Sequence, residues 1–362
     1  MQLGNACAFL PHSALPLASW REVASLTSRS SRHVPIQTSS RPKAAQCAVL
    51  RGGAANELGA KMGTAMSGGD DLYIVGAGYL GKLIGRQWLE KFPSAVVYAE
   101  TRSSIRHDML ESEGLTPTLR EAREETAIHC SNVVFCAAPK GNDDYVSEVA
   151  RAAAQVWDGS GMFVFTSSGG IYAESGGGTV NEESPVSNAP RAARLEAAEA
   201  ASLAAGGCVV RLAGLYSVDR GPHNYWLLQR EVDSSPHGLI NLLAYEDAAG
   251  AVVAALVAAR KKPPSADGAN PVGGRVFLAA DSVPTSRREI CQLALGHPFH
   301  GWKKMPQFQE DNPDTGAKKV YDTSVTRRDL RWSPRYESIA EFMGSKMEEE
   351  KEAWEKSENG GK

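Results

Sequence analysis

Three glycines follow the first regular apolar stretch of the chain, in the run YIVGAGYLGKLIG. Gly76, Gly78 and Gly81 form the pattern G-x-G-x-x-G, with Tyr79 and Leu80 in its last two variable positions. Between a strand and a helix, the first glycine permits a tight turn and the second lets the backbone approach a pyrophosphate. The third lets the helix pack closely on the strand. The pattern therefore predicts that these five residues hold a dinucleotide.

The residues on either side of the glycines supply that context. Residues 72–75, LYIV, predict a buried parallel strand, and the apolar positions 80, 83, 84 and 88 repeat as one face of a helix does. The N-terminus of such a helix offers free N–H groups and a partial positive charge to phosphates. The alternative is an ordinary strand–helix turn without a ligand.

The end of the second predicted strand, residues 95–99, indicates which dinucleotide is bound. An acid at this place binds both ribose hydroxyls of NAD, whereas the phosphate of NADP needs a cation. Thr101 takes the acid position and Arg102 follows it, so a guanidinium and the hydroxyls of Thr101 and Ser103 would face the ribose. The sequence therefore favours NADP as the cofactor. NAD is the alternative, because a shift of one residue makes Glu100 an NAD-type acid.

Strand and helix patterns alternate along the rest of the chain. Further strands are predicted at 132–138, 161–168, 207–214 and 275–281, and helices at 144–156 and within 238–259. This alternation predicts an α/β fold class: a Rossmann-type doubly wound parallel sheet with a small C-terminal cap subdomain. We expect a disordered transit peptide and spacer over 1–65, an NAD(P)-binding Rossmann core over 66–220, the remaining sheet elements and substrate cap over 221–345, and a charged tail over 346–362.

The N-terminal segment differs in composition from the rest of the chain. Residues 1–56 contain six Lys or Arg, eight serines and one acid, although the whole chain of 362 residues has a net charge of −3. Arg- and Ser-rich segments with few acids are typical of organelle transit peptides. With the run AAQCAVL around Cys47 as a processing site, we expect the chloroplast stroma, with the mitochondrion or an untargeted disordered tail as alternatives.

Several classes of function are disfavoured by composition. The net negative charge argues against general nucleic-acid binding, and the sequence has no run of 18 apolar residues that would predict a transmembrane segment. The six cysteines form no C-x-x-C pair and the histidines form no H-E-x-x-H, so we expect no metal site.

With these features the chain resembles the atypical, extended short-chain dehydrogenases/reductases, which are related to the NAD-dependent epimerases and dehydratases. The resemblance covers about residues 71–343. The segments that carry it, besides the glycines, are FCAAPKG (135–141), FTSSGGIYAESGG (165–177), NEESPV (181–186), VVRLAGLYSVDRGPHN (209–224), INLLAYEDAAGAV (240–252) and RRDLRWSPRYESIAEFM (327–343).

The resemblance implies roles for individual residues. Ala137, Ala138 and Pro139 would pass beside the cofactor with Ser167, and Ser168 would be the catalytic serine that polarises the substrate oxygen. Members of the family also use a Tyr-x-x-x-Lys pair to move a proton.

That pair is missing here. Counting back from Glu199, the tyrosine position is Arg191 and the lysine position is Leu195. An arginine stays protonated and is a poor acid, and leucine has no charge. The two arginines of this helix, Arg191 and Arg194, could bind an anionic substrate or cofactor phosphates, or lie on a solvated face.

Two functions therefore stay open. The one that the sequence favours is an NADP-dependent oxidoreductase or epimerase-like enzyme with another proton donor, for which Tyr172, Tyr216, His223 and Tyr225 are candidates. The other is a catalytically inactive dinucleotide-binding sensor or assembly factor. The small-molecule substrate is not identified by the sequence, and a homodimer is possible.

Overall fold

The computed structural model describes residues 69–261, 271–309 and 319–359. The expected transit peptide lies outside these residues and stays a prediction, as do the domain boundaries. The strands, in chain order, are β1 (Leu72–Val75), β2 (Val97–Thr101), β3 (Thr116–Leu119), β4 (Cys130–Phe135), β5 (Trp157–Ser168), β6 (Thr179–Val180), β7 (Cys208–Leu212), β8 (Gly214–Tyr216), β9 (Glu231–Val232), β10 (Leu239–Ile240), β11 (Leu242–Ala244), β12 (Val276–Ala279), β13 (Thr285–Ser286), β14 (Gln307–Phe308) and β15 (Val320–Tyr321).

The helices lie between these strands. In chain order they are α1 (Tyr79–Lys91), α2 (His107–Ser112), α3 (Tyr145–Val156), α4 (Pro190–Ala204), α5 (Pro222–Trp226), α6 (Tyr245–Lys261), α7 (Arg287–Gly296), α8 (Ser324–Leu330) and α9 (Ile339–Asn359). Short 3₁₀ turns lie at Ser104–Arg106, Arg120–Ala122, Gly169–Ile171 and Pro298–His300. Within the described residues, no helix is both long and apolar enough to cross a membrane.

A seven-stranded parallel sheet forms the centre of the molecule. Its order is β12-β7-β5-β4-β1-β2-β3, and every adjacent pair is parallel. β1 therefore lies inside the sheet. β2 and β3 extend the sheet on one side of β1, and β4, β5, β7 and β12 extend it on the other, as in Rossmann-type folds. The predicted α/β doubly wound sheet is confirmed.

Helices cover both faces of the sheet, which explains why its strands are almost continuously apolar. On one face, Ile84 and Trp88 of α1 and the alanines and valines of α6 form one apolar cluster with Leu72 and Ile74 of β1. On the other face, α3 and α4 pack against the alternate residues of the same strands, among them Tyr73. A third apolar cluster joins β8 and β11 to α5, α7 and α9 in the C-terminal part.

Several strand boundaries differ from the sequence prediction, and two of these differences lie in β2 and β4, the neighbours of β1 in the sheet. β2 was expected at 95–99 and runs from Val97 to Thr101. Ala95 instead belongs to the turn after α1, where its N–H donates to Phe92 O at 3.0 Å. The strand continues through a glutamate because Glu100 has a buried cationic partner, Arg123. β4 was expected at 132–138 but ends at Phe135.

Candidate functional site

The glycine loop connects β1 to α1 at the carboxyl edge of the sheet. Gly76 has φ +90, and a Cβ there would lie 2.5 Å from both Cα and N of Ala137. A Cβ on Gly81 would lie 2.9 Å from Gly76 O and 3.0 Å from Ile74 Cγ2. The first glycine is therefore needed for the turn and for contact with the loop after β4, and the third for close packing of α1 on β1.

The amides of this loop divide into two groups. Gly76 N and Ala77 N donate to Glu100 O on β2, at 3.2 and 2.8 Å, and Gly78 N donates to Gly76 O at 2.7 Å, so these three amides are used within the protein. Tyr79, Leu80 and Gly81 form the first turn of α1, where N–H groups have no acceptor within the helix. These three amides, with the positive end of the helix dipole, make this edge of the sheet suitable for phosphate.

A cavity of about 330 Å³ lies beside the glycine loop. It brings together seven of the predicted cofactor residues with others that the sequence did not indicate. Its lining is Val75, Gly76, Ala77, Gly78, Glu100, Thr101, Arg102, Ser103, Arg106, Arg120, Cys136, Ala137, Ala138, Asn142 and Glu148. The predicted residues Tyr79, Leu80, Gly81, Pro139, Ser167 and Ser168 do not line it. Arg106, Arg120, Asn142 and Glu148 are the polar and charged residues of the lining that the sequence did not indicate.

Glu100 lies at the end of β2 but is held inside the protein. It stands opposite Val75 in the sheet register and is 2% exposed. Arg123 donates to both carboxylate oxygens at 2.6 Å, and the Tyr73 hydroxyl donates to Oε2 at 3.0 Å. Burial and the neighbouring carboxylate of Glu100 raise the pKa of Tyr73, so this hydroxyl stays protonated. Arg123, which does not line the cavity, therefore neutralises the charge of Glu100.

A second buried carboxylate extends this network. Glu148 of α3 pairs with Arg120, Arg123 and Arg151 at 2.8, 2.9 and 2.9 Å. Burial raises the pKa of Glu148, but the hydrogen bonds from Arg151 and Arg123 outweigh burial and hold it below the usual value. Both acids of the cavity wall are thus paired with arginines.

Arg102 and Arg106 are the exposed cations at the mouth of the cavity. Within the described residues, no carboxylate forms an ion pair with either guanidinium. Arg102 Nη1 lies 3.2 Å from the position of a Cβ at Gly141, so the side chain rests on the loop after β4. Thr101 Oγ1 donates a hydrogen bond to Ser103 O at 2.9 Å and lies within hydrogen-bond distance of His107 Nε2, at 2.8 Å. Positive charge therefore remains available where β2 ends.

The serine pair at the end of β5 has a different environment. Ser168 Oγ accepts from Gly170 N at 3.2 Å and caps the 3₁₀ turn that follows. Ser167 Oγ is buried and has no hydrogen-bond partner among the described residues. The adjoining Gly169 carbonyl accepts from the Tyr321 hydroxyl at 2.6 Å. Tyr321, brought in by β15, was not indicated by the sequence.

Helix α4 presents no tyrosine or lysine at the positions expected from the resemblance. Arg191 is exposed, and Leu195 is buried in the core between α4 and the sheet. Glu199, from which these positions were counted, faces inwards and pairs with Arg211 at 2.7 Å. Arg194 contacts the loop after β4 and is therefore not fully solvated. Its guanidinium lies 5.6 Å from the centre of the Tyr145 ring.

Three of the four candidate proton donors are buried. Tyr172 and Tyr216 are 3% and 0% exposed, and burial raises the pKa of each hydroxyl. His223 is fully buried, its Nε2 lies 3.2 Å from Val218 O, and burial lowers its pKa to about 4. Tyr225 is 66% exposed. In the part of the chain that the structure describes, no group of three His, Cys, Asp or Glu side chains could hold a metal.

Comparison with solved structures identifies proteins that share this fold. No family model and no curated protein matches the chain. Solved structures do match it. A protein of unknown function from Silicibacter pomeroyi has 19% identity and a TM-score of 0.59, over 77% of this chain and 98% of that one. The UDP-Glc/GlcNAc 4-epimerase of Campylobacter jejuni has 16% identity and a TM-score of 0.59, over 78% and 99%.

A third similar structure is the UDP-glucuronic acid 4-epimerase of Bacillus cereus in complex with NAD. It has 15% identity and a TM-score of 0.58, over 76% of this chain and 99% of that one. At these identities the similarity is one of fold. The chain has the fold of these structures, in agreement with the fold that its sequence motifs predict.

Proposed function

We propose that the protein binds NADP(H) in the cavity where β1, β2 and β4 end and at the N-terminus of α1, which adjoins it at Gly78. The first-turn amides of Tyr79, Leu80 and Gly81 would hold the diphosphate, and Arg102 and Arg106 the 2′-phosphate. The observation that carries the proposal is the charge at the end of β2. Two exposed guanidiniums lie beside the cavity, while the carboxylate of Glu100 is already bound by Arg123.

The state of Glu100 favours NADP over NAD. An NAD-type acid uses its carboxylate oxygens to accept from two ribose hydroxyls. Here both oxygens accept from Arg123 within the protein, and one also accepts from Tyr73. Glu100 paired with Arg123 also repels a phosphate less than an unpaired glutamate would, because the positive charge of Arg123 offsets its negative charge. The NAD found with the similar B. cereus epimerase supports the dinucleotide class.

For the chemistry, we propose that the protein holds the coenzyme without the Tyr–Lys proton transfer of the family. Arg191 and Leu195 supply neither an acid nor a cation that could lower the pKa of one. Ser168 is occupied as a cap, and the hydroxyls of Tyr172 and Tyr216 are buried. A coenzyme-binding sensor or assembly factor is the function that this geometry supports best.

An NADP-dependent oxidoreductase is the second candidate, and one observation favours it. Tyr225 is 66% exposed on α5, so its hydroxyl can reach a substrate. Arg220, in the loop before α5, lies 4.6 Å from the ring centre of Tyr79, which places this loop beside the glycine loop. In this case Tyr225 would donate the proton in place of the family's tyrosine.

Binding is tested by titrating the full-length protein with NADPH and NADH, following coenzyme fluorescence. We expect NADPH to bind at least about tenfold more tightly than NADH, since a charge-assisted phosphate contact contributes about 1.5 kcal/mol or more. Equal affinities would contradict the 2′-phosphate site, and no binding of either coenzyme would overturn the whole proposal.

Turnover separates the two candidate functions. Carbonyl compounds and nucleotide sugars are incubated with the protein and NADPH, and loss of absorbance at the nicotinamide band is measured. The sensor proposal predicts no loss above the rate without protein. Turnover that is abolished by Tyr225→Phe, while NADPH affinity is kept, would establish the oxidoreductase instead.

A further inference from the structure

The loop after β4 is held from helix α4 by one arginine. We call residues 137–142 the coenzyme loop, because Ala137, Ala138 and Asn142 line the cavity. Arg194 Nη2 donates to Pro139 O at 3.4 Å and to Asn142 O. These two carbonyls lie at the ends of one turn, which Asn142 N closes by donating to Pro139 O at 3.3 Å.

An aromatic ring fixes both the arginine and the start of the loop. The Arg194 guanidinium lies 5.6 Å from the centre of the Tyr145 ring. The hydroxyl of the same tyrosine donates to Ala137 O at 2.9 Å. The coenzyme loop is thus attached at its first residue by Tyr145 and at its turn by Arg194.

The coenzyme loop touches both other parts of the candidate site. Ala137 lies so close to Gly76 that a Cβ there would be 2.5 Å from its Cα. Gly141, with φ +74, lies against the Arg102 guanidinium, 3.2 Å from where its Cβ would be. A displacement of the loop would therefore change the space at the glycine turn and the support of Arg102.

From these contacts we infer that Arg194 is a positioning residue for the coenzyme. It lies on the helix that should carry the Tyr–Lys pair, one residue before the lysine position, but it acts on backbone carbonyls of the coenzyme loop. The inference rests on the proposed coenzyme site. Because the loop lines the part of the cavity that NADPH and NADH would share, Arg194 should support both coenzymes, and NADPH also through the contact of Gly141 with Arg102.

The test compares Arg194→Ala and Arg194→Lys in the full-length protein, with Arg328→Ala as control. Arg328 is an exposed arginine of α8 whose Nε lies 2.8 Å from Asp329 Oδ1. We expect Arg194→Ala to weaken the binding of NADH by about tenfold, which corresponds to about 1.4 kcal/mol, and the binding of NADPH by at least as much. Lysine, which can donate to the carbonyls but lacks the planar fork, should restore part of the affinity. The control should bind as the wild type does.

Three outcomes would overturn the inference. Unchanged affinities for Arg194→Ala would show that the loop needs no support. A loss confined to NADPH would mean that Arg194 acts only on the 2′-phosphate site, by direct contact or through Arg102. A loss accompanied by unfolding at the assay temperature, which circular dichroism detects, and not relieved by lysine would mean a general structural role. If the wild type binds neither coenzyme, it is the proposed function that fails.

Discussion

Replacing Arg102 by alanine tests the 2′-phosphate site most selectively. The side chain is exposed, and within the described ranges it has no carboxylate partner, so its removal leaves no buried charge unpaired. A hydrogen bond to a charged group contributes about 1.5–3 kcal/mol, and exposure favours the lower end of that range. At about 1.4 kcal/mol for each tenfold change, the Kd of NADPH should rise about tenfold.

The same substitution should leave NADH almost unaffected. NADH has no 2′-phosphate, so its Kd should change less than about twofold. Isothermal titration calorimetry of both coenzymes against wild type and variant gives the two ratios. Arg86→Ala is the matched control, because Arg86 is an exposed arginine of α1 that pairs with Glu113 at 3.2 Å. Equal losses for the two coenzymes, or a loss for the control as large as that for Arg102→Ala, would refute the reasoning.

Three further predictions concern stability and targeting. Burial raises the pKa of Asp281 to about 8, so its ionisation destabilises the fold as pH rises from about 4 to 8. In urea unfolding, Asp281→Asn should therefore be more stable than the wild type at about pH 9, by at most about 6 kcal/mol, and this gain should vanish near pH 4. A gain that does not depend on pH would contradict this. Gly76→Ala should lower the free energy of unfolding by about 3 kcal/mol and abolish coenzyme binding, because its Cβ would lie 2.5 Å from Ala137. A Cβ on Gly296 meets open space, so Gly296→Ala should have the stability of the wild type. Residues 1–65 fused to a fluorescent protein should direct it to chloroplasts, and a cytosolic signal would refute the transit peptide.

The order of elements was predictable because apolar periodicity records which side chains are buried. The strand at 72–75 and the helix expected over 144–156 agree with β1 and α3. The edge strand β3, with the sequence TPTL, was missed, because it has few apolar residues and is only partly buried. Where burial is weak, the sequence leaves little periodic signal.

The candidate site was predictable where backbone geometry decides the residue type. The glycines at 76 and 81 are required by contacts with Ala137 and Gly76 O. The state of Glu100 was not predictable, because its partner Arg123 is 23 residues away in the chain. Arg120 and Tyr321 are likewise brought to the site by folding from distant segments. Local spacing carries no information on such pairs.

The most direct test of the account is a crystal structure of the full-length protein with NADP⁺. We predict the diphosphate at the N–H groups of Tyr79, Leu80 and Gly81, and the 2′-phosphate within hydrogen-bond distance of the Arg102 or Arg106 guanidinium. A coenzyme whose ribose hydroxyls bind a Glu100 carboxylate released from Arg123, or density for NADP⁺ away from the glycine loop, would contradict it.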